Sequence, residues 1–202
     1  MPTLYDLKPR FQAVLRPVAA RCARAGISAN AVTSAAALMS GLLGALTAAT
    51  RSRWLLLGYP LFLLLRMALN AVDGLLAREL SRPTPLGALL NELGDLVSDA
   101  ALYLPLALVF PAPPWLVVAI VVVALIAEAA GIAAGAIGAS RRYDGPFGKS
   151  DRALAFSTLA VVVAVGVPTA DRWLPAVLCV LLVMAAWTVV NRVRAAVAET
   201  GR

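Results

Sequence analysis

Hydrophobic residues recur along this chain in long unbroken blocks, not in the alternation of a strand or the narrow stripe of a soluble helix. Six blocks, at about 31–50, 54–80, 85–110, 115–139, 153–167 and 173–193, are separated by short polar stretches rich in Arg. Most have the roughly 17–25 residues that a helix needs to cross a bilayer; the fifth is shorter and could sit tilted or partly buried. Ahead of them, Lys8, Arg10, Arg16, Arg21 and Arg24 interleave with Leu4, Leu7, Phe11, Val14, Leu15 and Val18. That spacing predicts an amphipathic helix lying in the membrane interface, basic side to the headgroups. The expected architecture is an all-α integral membrane protein with one membrane domain over 1–202: an interfacial helix at 1–30, then a six-helix transmembrane bundle at 31–202. No soluble domain, low-complexity linker or internal repeat interrupts it.

Composition points the same way. Of 202 residues, 61% are hydrophobic and 14% charged, and the mean hydropathy is +0.83. Soluble domains are about half apolar and about a quarter charged, and a chain this short cannot hide such an excess in one core. The net charge of +7 would suggest nucleic acid in a soluble protein. Here the cations sit between apolar blocks, so anionic lipid headgroups are the expected partner and nucleic acid is not. With six spans and an inner N-terminus, fourteen Lys and Arg fall on the inner side. Arg51, Arg53 and Arg172 fall outside, and Arg66 lies within a span. Both termini are therefore expected in the cytoplasm. The N-terminal stretch is polar through Arg10, so no cleavable signal peptide is expected.

Histidine is absent, which removes imidazole acid–base chemistry, Ser–His–Asp triads and His-based metal sites. Cys22 and Cys179 are far apart, and no CxxC pair signals zinc or a disulfide framework. Any catalysis must use carboxylates, hydroxyls, Lys, Arg or a metal held by oxygen.

Charges within membrane spans are costly, so each is a functional suspect. They concentrate where the second span ends, at Arg66, Asn70, Asp73, Gly74, Ala77 and Arg78. The third span opens with Gly87, Asn91, Glu92, Gly94, Asp95, Ser98 and Asp99. Asn70 and Asp73 are three apart, and Asn91, Asp95 and Asp99 are four apart, so each set shares a helical face. A short link at 81–84 makes the two helices antiparallel neighbours, with Asn70, Asp73, Asn91 and Asp95 at similar depth. Gly74, Ala77 and Gly87 would let the two backbones approach closely. Four oxygen-bearing side chains converging this way suit a hard divalent cation, Mg²⁺ or Mn²⁺, able also to hold a pyrophosphate. Arg66 and Asp99 fall one turn deeper on facing helices, as a structural ion pair or as a guanidinium serving substrate phosphate. Glu128 is a further candidate partner for Arg66.

At these residues the chain resembles the CDP-alcohol phosphatidyltransferase family, whose signature is Asp-x2-Asp-Gly-x2-Ala-Arg-x8-Gly-x3-Asp-x3-Asp. Asp73, Gly74, Ala77, Arg78, Gly87 and Asp95 match in register, and Gly26-Ile27-Ser28-Ala29-Asn30-Ala31-Val32-Thr33 is similar to the family's Gly-Ile-Thr-Pro-Asn-x-x-Thr opening. The resemblance implies metal-dependent transfer of a phosphatidyl group from a CDP-alcohol, CDP-diacylglycerol above all, to an acceptor hydroxyl with release of CMP. It implies Asp73, Asp95, Asn70 and Asn91 as the metal site, Asp95 as general base, and Gly74, Ala77, Arg78, Gly87 and Thr33 at the substrate. It also implies a homodimer in a bacterial-type cytoplasmic membrane, with the active site facing the cytoplasm.

Two positions depart from the signature. Its first and third aspartates are Asn70 and Asn91 here, which offer a carbonyl oxygen but no charge. A second tightly held cation is thereby in doubt, with Glu92, Asp99 and Arg66 as compensating charges. A catalytically degenerate protein that binds a CDP-lipid or nucleotide is the alternative. A small transporter with a charged pathway is a third reading, against which the missing repeat stands.

A second basic group, Arg141, Arg142, Lys149 and Arg152, joins the fourth and fifth spans. It is not a P-loop, because Tyr143 stands where the first glycine would be. The bland reading is a positive-inside loop at anionic lipid. Similar loops in phosphatidylinositol-phosphate synthases supply Arg and Lys to the acceptor's phosphate. The four residues are therefore expected at the acceptor, with a phosphorylated polyol among the candidates.

Overall fold

In the computed structural model, residues 8–80 and 84–201 are described; Leu4, Leu7, Arg82, Arg202 and the 81–83 part of the polar link lie outside them. All regular structure among the described residues is helical. Helix α1 covers Lys8–Arg24 and α2 Ala29–Thr50; a 3₁₀ turn at Arg53–Gly58 leads into α3, Tyr59–Leu75, which tightens into a π turn at Leu76–Leu80. Helix α4 is Pro85–Tyr103, extended by a 3₁₀ turn to Leu108; α5 is Pro114–Ala133, α6 Lys149–Val165 and α7 Ala170–Thr200.

Local chemistry sets the boundaries. Ser28 caps α2 by accepting from the Ala31 amide, and Thr84 caps α4 by accepting from Gly87, with Pro85 preorganised in the first turn. Asp151 accepts from the Gly148 amide at the start of α6, and Gly166, at φ 72°, ends that helix in the left-handed conformation.

Four helical stretches are long and apolar enough to cross a membrane: Ala29–Thr50, Arg53–Glu79, Pro114–Ile137 and Ala170–Thr200. The other two predicted spans are helical, but length and composition alone do not mark them as crossing. Helix α4 carries Glu92, Asp95 and Asp99, while α6 has 17 residues and opens with Lys149, Asp151 and Arg152. Outward-facing Leu38, Leu42, Leu61, Val118, Val180 and Val183 form apolar surface that water would penalise and lipid would not.

Helix α2 packs along both α3 and α4, α5 packs along α7, and α6 lies against α3. Contrary to the sequence expectation, α3 and α4 are not closely packed backbone to backbone. Gly74 lies beneath the guanidinium of its own helix's Arg78, and Gly87 faces Asn30 of α2. The small residues thus make room for polar side chains, and α3 and α4 splay. Their far ends are tied instead by Tyr59, whose hydroxyl is bonded to Thr47 of α2 at 3.1 Å and the Leu102 carbonyl of α4 at 3.2 Å. Against the α2 side, Ala19 of α1 is buried with Val32, Val72, Leu75 and Leu76, while Val14 and Val18 remain exposed.

Helices α2 and α4 cross closely at Gly44, where a Cβ would lie 1.9 Å from the Ala101 carbonyl oxygen. Gly44→Ala is expected to cost about 1–3 kcal/mol, the usual scale of overpacking. Gly41→Ala, whose Cβ meets open space, should be neutral or slightly stabilising because alanine favours helix. Thermal unfolding of both variants in detergent tests this, and equal midpoints would disprove a tight α2–α4 crossing.

Candidate active site

The splay of α3 from α4 opens a cavity of about 960 Å³ that α2, α5, α6 and α7 help to enclose. Its wall includes Thr33, Asn70, Asp73, Gly74, Ala77, Arg78, Gly87, Asn91, Glu92, Asp95, Arg141 and Lys149, so most of the residues singled out by the sequence meet in one place. Asn70 Nδ2 donates to Asp95 Oδ1 at 2.8 Å, bringing the two halves of the motif together across α3 and α4. Asp73 is buried, and its Oδ2 accepts from the Thr33 hydroxyl at 2.8 Å. Its Oδ1 is buried without a hydrogen-bond partner. At the π turn, Arg78 folds back so that its Nη2 lies 2.7 Å from where a Cβ on Gly74 would be. Any side chain there would push the guanidinium away.

Along the cavity wall and just behind it runs a chain of alternating charges. Lys149 Nζ lies 2.5 Å from Asp95 Oδ1. Arg66 donates to the Asp95 carbonyl at 3.1 Å and pairs with Asp99 at 2.6 Å. Arg152 pairs with Asp99 at 2.7 Å and with Glu128 at 3.0 Å, and Arg192 reaches Glu128 at 3.2 Å and the Ala127 carbonyl at 2.7 Å. The Arg66–Asp99 contact places both residues at the expected matching depth. Glu128, however, pairs with Arg152, Arg192 and Arg141, and among the described residues no Arg66–Glu128 pair forms. Arg66, Asp99, Arg152 and Arg192 are all buried, so each charge depends on its partners.

The loop before α6 is held by contacts that the sequence does not announce. Arg142 donates its amide to the Gly131 carbonyl at 3.1 Å, and Gly145, at φ 124°, lies against Thr188 of α7, where a Cβ would meet three atoms within 2.8 Å. The Phe147 amide donates to the Thr188 hydroxyl at 3.0 Å. Thus anchored, the loop turns Arg141 toward Glu92, with which it is ion-paired, and delivers Lys149 to Asp95. Arg142 and Arg152 do not line the cavity. Arg142 points to Asp144 at 2.8 Å and Glu199 at 2.6 Å, and its hydrogen bonds to Asp144 raise an already high pKa, fixing its charge.

Sequence reasoning missed Arg192 and the pairing partners of Lys149 and Arg152. The one available signal was an Arg on an apolar helix that also carried Asn191 and Arg194. Asp99→Asn leaves Arg66 and Arg152 without a shared carboxylate and is expected to cost about 3–5 kcal/mol, the usual loss when one buried partner is removed. Arg16→Ala breaks only the exposed pair with Glu79 at 3.1 Å and should change stability by no more than about 1 kcal/mol. Unfolding in detergent measures the contrast, and a small Asp99→Asn effect would contradict a stability role for the chain.

Comparison with known proteins is consistent with this geometry. Residues 26–198, which contain all four motif positions, match the family described as CDP-alcohol phosphatidyltransferase. The chain is also 41% identical over 192 residues, 95% of either protein, to the Inner membrane protein YnbA of Escherichia coli (strain K12). The chain belongs to the CDP-alcohol phosphatidyltransferase family and is a phosphatidyltransferase-like membrane enzyme of that family.

Proposed function

We propose that the protein transfers a phosphatidyl group from CDP-diacylglycerol to an acceptor hydroxyl and releases CMP, using Mg²⁺ or Mn²⁺ in the cavity between α3 and α4. The observation that carries the metal is Asp73 Oδ1, a buried carboxylate oxygen of a cavity-lining residue without a hydrogen-bond partner. Asp73 and Asp95 form the charged part of the donor set, with the side-chain oxygens of Asn70 and Asn91 available beside them. With asparagine at two of the four positions the set carries only two negative charges, which fits one cation better than two. A divalent cation there would supply positive charge to offset that of the departing CMP.

The chain's own residues do the rest. Thr33 orients Asp73, and Arg78, folded over Gly74 at the cavity wall, would take the nucleotide phosphates. The acceptor oxygen forms a bond to the β-phosphorus as the bond from that phosphorus to the CMP oxygen breaks. CMP departs with the electron pair, and Asp95 takes the hydroxyl proton. Asp95 Oδ1 is fixed by Asn70 and Lys149, leaving Oδ2 for the proton. The lipid tails remain in the bilayer beside α3 and α4.

In this reading six helices, α2 to α7, span the membrane in a homodimer, and the cavity faces the cytoplasm. The same orientation predicts that Thr200→Cys is shielded from an impermeant maleimide in intact cells and Ser52→Cys is labelled, each in a cysteine-free background. The reverse pattern would invert the protein.

One observation favours a rival. Asn70 turns its amide donor toward Asp95, an arrangement that supports lipid or nucleotide binding without turnover. Purified protein with CDP-diacylglycerol and a panel of acceptors separates the two. Transfer predicts CMP release that chelation abolishes and Asp95→Ala lowers by about 10²–10⁴-fold. Saturable CDP-diacylglycerol binding without CMP under any condition would establish the rival.

A further inference from the structure

The cations expected to receive an acceptor's phosphate are already engaged. Lys149 is 2.5 Å from Asp95, and Arg141 is paired with Glu92 and 4.0 Å from Glu128. Arg152 lies behind the wall against Asp99 and Glu128, 1% exposed, and Arg142 is turned out of the cavity to Asp144 and Glu199. Arg192, the remaining cation on this side, is held by Glu128 and the Ala127 carbonyl. Arg78 alone among the described lining cations has no carboxylate within ion-pair distance, and it stands on the α3 side beside Gly74.

The charge balance agrees. The wall presents six carboxylates, Asp73, Glu92, Asp95, Asp99, Glu128 and Asp151, against four cations, Arg78, Arg141, Lys149 and Arg192. Arg66 and Arg152, buried behind it, bring the two signs level. A phosphate entering beside Lys149 would have to take a cation from a half-buried or buried carboxylate, leaving that carboxylate uncompensated in a site of low dielectric. If it did not, it would face the carboxylates directly, a like-charge contact that selects against a ligand. A hydroxyl compound without phosphate meets neither penalty. Asn91, Ser150, Ser157 and the outer carboxylate oxygens of this wall can donate to or accept from it.

We infer that the acceptor carries hydroxyl groups but no phosphate, so that the basic loop before α6 neutralises the protein's own carboxylates and does not bind an acceptor phosphate. The inference rests on the transferase reading for its chemistry, but its electrostatic content can be tested without turnover.

Two measurements decide it. With CDP-diacylglycerol and Mn²⁺, CMP release should be supported by glycerol or inositol in preference to the matching phosphates, by at least about a hundredfold in kcat/KM. A preference for the phosphate would overturn the inference. Independently, sn-glycerol 3-phosphate is titrated against the purified protein without donor and followed by phosphorus NMR line width. The wild type should show no saturable broadening that Arg141→Ala or Lys149→Ala removes. Glu92→Gln, which removes the nearer of Arg141's two carboxylates, should gain such broadening. Saturable wild-type binding lost in Arg141→Ala or Lys149→Ala but kept in Arg78→Ala would refute the inference even if no acceptor yields CMP. Absence of CMP with every acceptor, by contrast, would count against the transferase reading alone.

Discussion

A run of buried and half-buried charges, from Lys149 through Asp95, Arg66, Asp99, Arg152 and Glu128 to Arg192, is the constraint on which the rest of the structure depends. It touches five helices, α3 to α7. Each ion would be expensive alone in a lipid-surrounded bundle, so the helices that carry them must come together in one arrangement. Apolar packing among Leu, Val and Ala is permissive about register. A guanidinium between two carboxylates is not, because moving one helix by a turn would strand several charges. The chain therefore does for α3 to α7 what tight backbone packing at Gly44 does for α2 and α4.

That division of labour explains where the cavity lies. Helix α2 packs along α3 and α4 and is tied to both at one end through Tyr59 and Thr47, while long polar side chains bridge α3 and α4 toward the other. The bridge is wider than a backbone contact. The resulting gap is lined by the side chains that span it, so the features that hold the helices together are also those that create a polar space in an apolar bundle. Asp73 stands at its edge with one oxygen held by Thr33 and the other unsatisfied. A carboxylate left half-bonded, with no cation paired to it among the described residues, is where a cation or a substrate group gains most.

Much of this was legible in the sequence. Block lengths marked the helices, and the Asp73 to Asp95 register placed the motif residues around one cavity because i, i+3 and i+4 spacings set a helical face whatever the packing. Six blocks were read as spans, of which four are helical stretches long and apolar enough to cross a membrane. Carboxylates on α4 and a charged opening turn on α6 lower the apolar signal where a buried site needs polarity. Gly74 and Gly87 were misread for a related reason: a small residue announces that something comes close, and here that was Arg78 and Asn30, not a second backbone. The pairing of Lys149, Arg152 and Arg192 could not be read from local spacing. It depends on where the loop before α6 lands against Thr188, a contact 41 residues distant in sequence.

Asn70 and Asn91 take on a different meaning beside that loop. With aspartate at both positions the wall would gain two negative charges, and cations from solution or from the protein would have to answer them. With asparagine, Glu92, Asp95, Asp99 and Glu128 are paired with Arg66, Lys149, Arg141, Arg152 and Arg192, and Asn70 itself joins the arrangement as a donor to Asp95. The substitution and the inward-turned basic loop are therefore two sides of one electrostatic adjustment: part of the positive charge that a metal would bring is carried by fixed side chains. Fixed cations hold their geometry without a metal and cannot follow a phosphate as a mobile ion can. On the proposed reading, a site adjusted this way keeps its positive charge for its own carboxylates and leaves Arg78, which has no carboxylate partner among the described residues, for the nucleotide end of the donor.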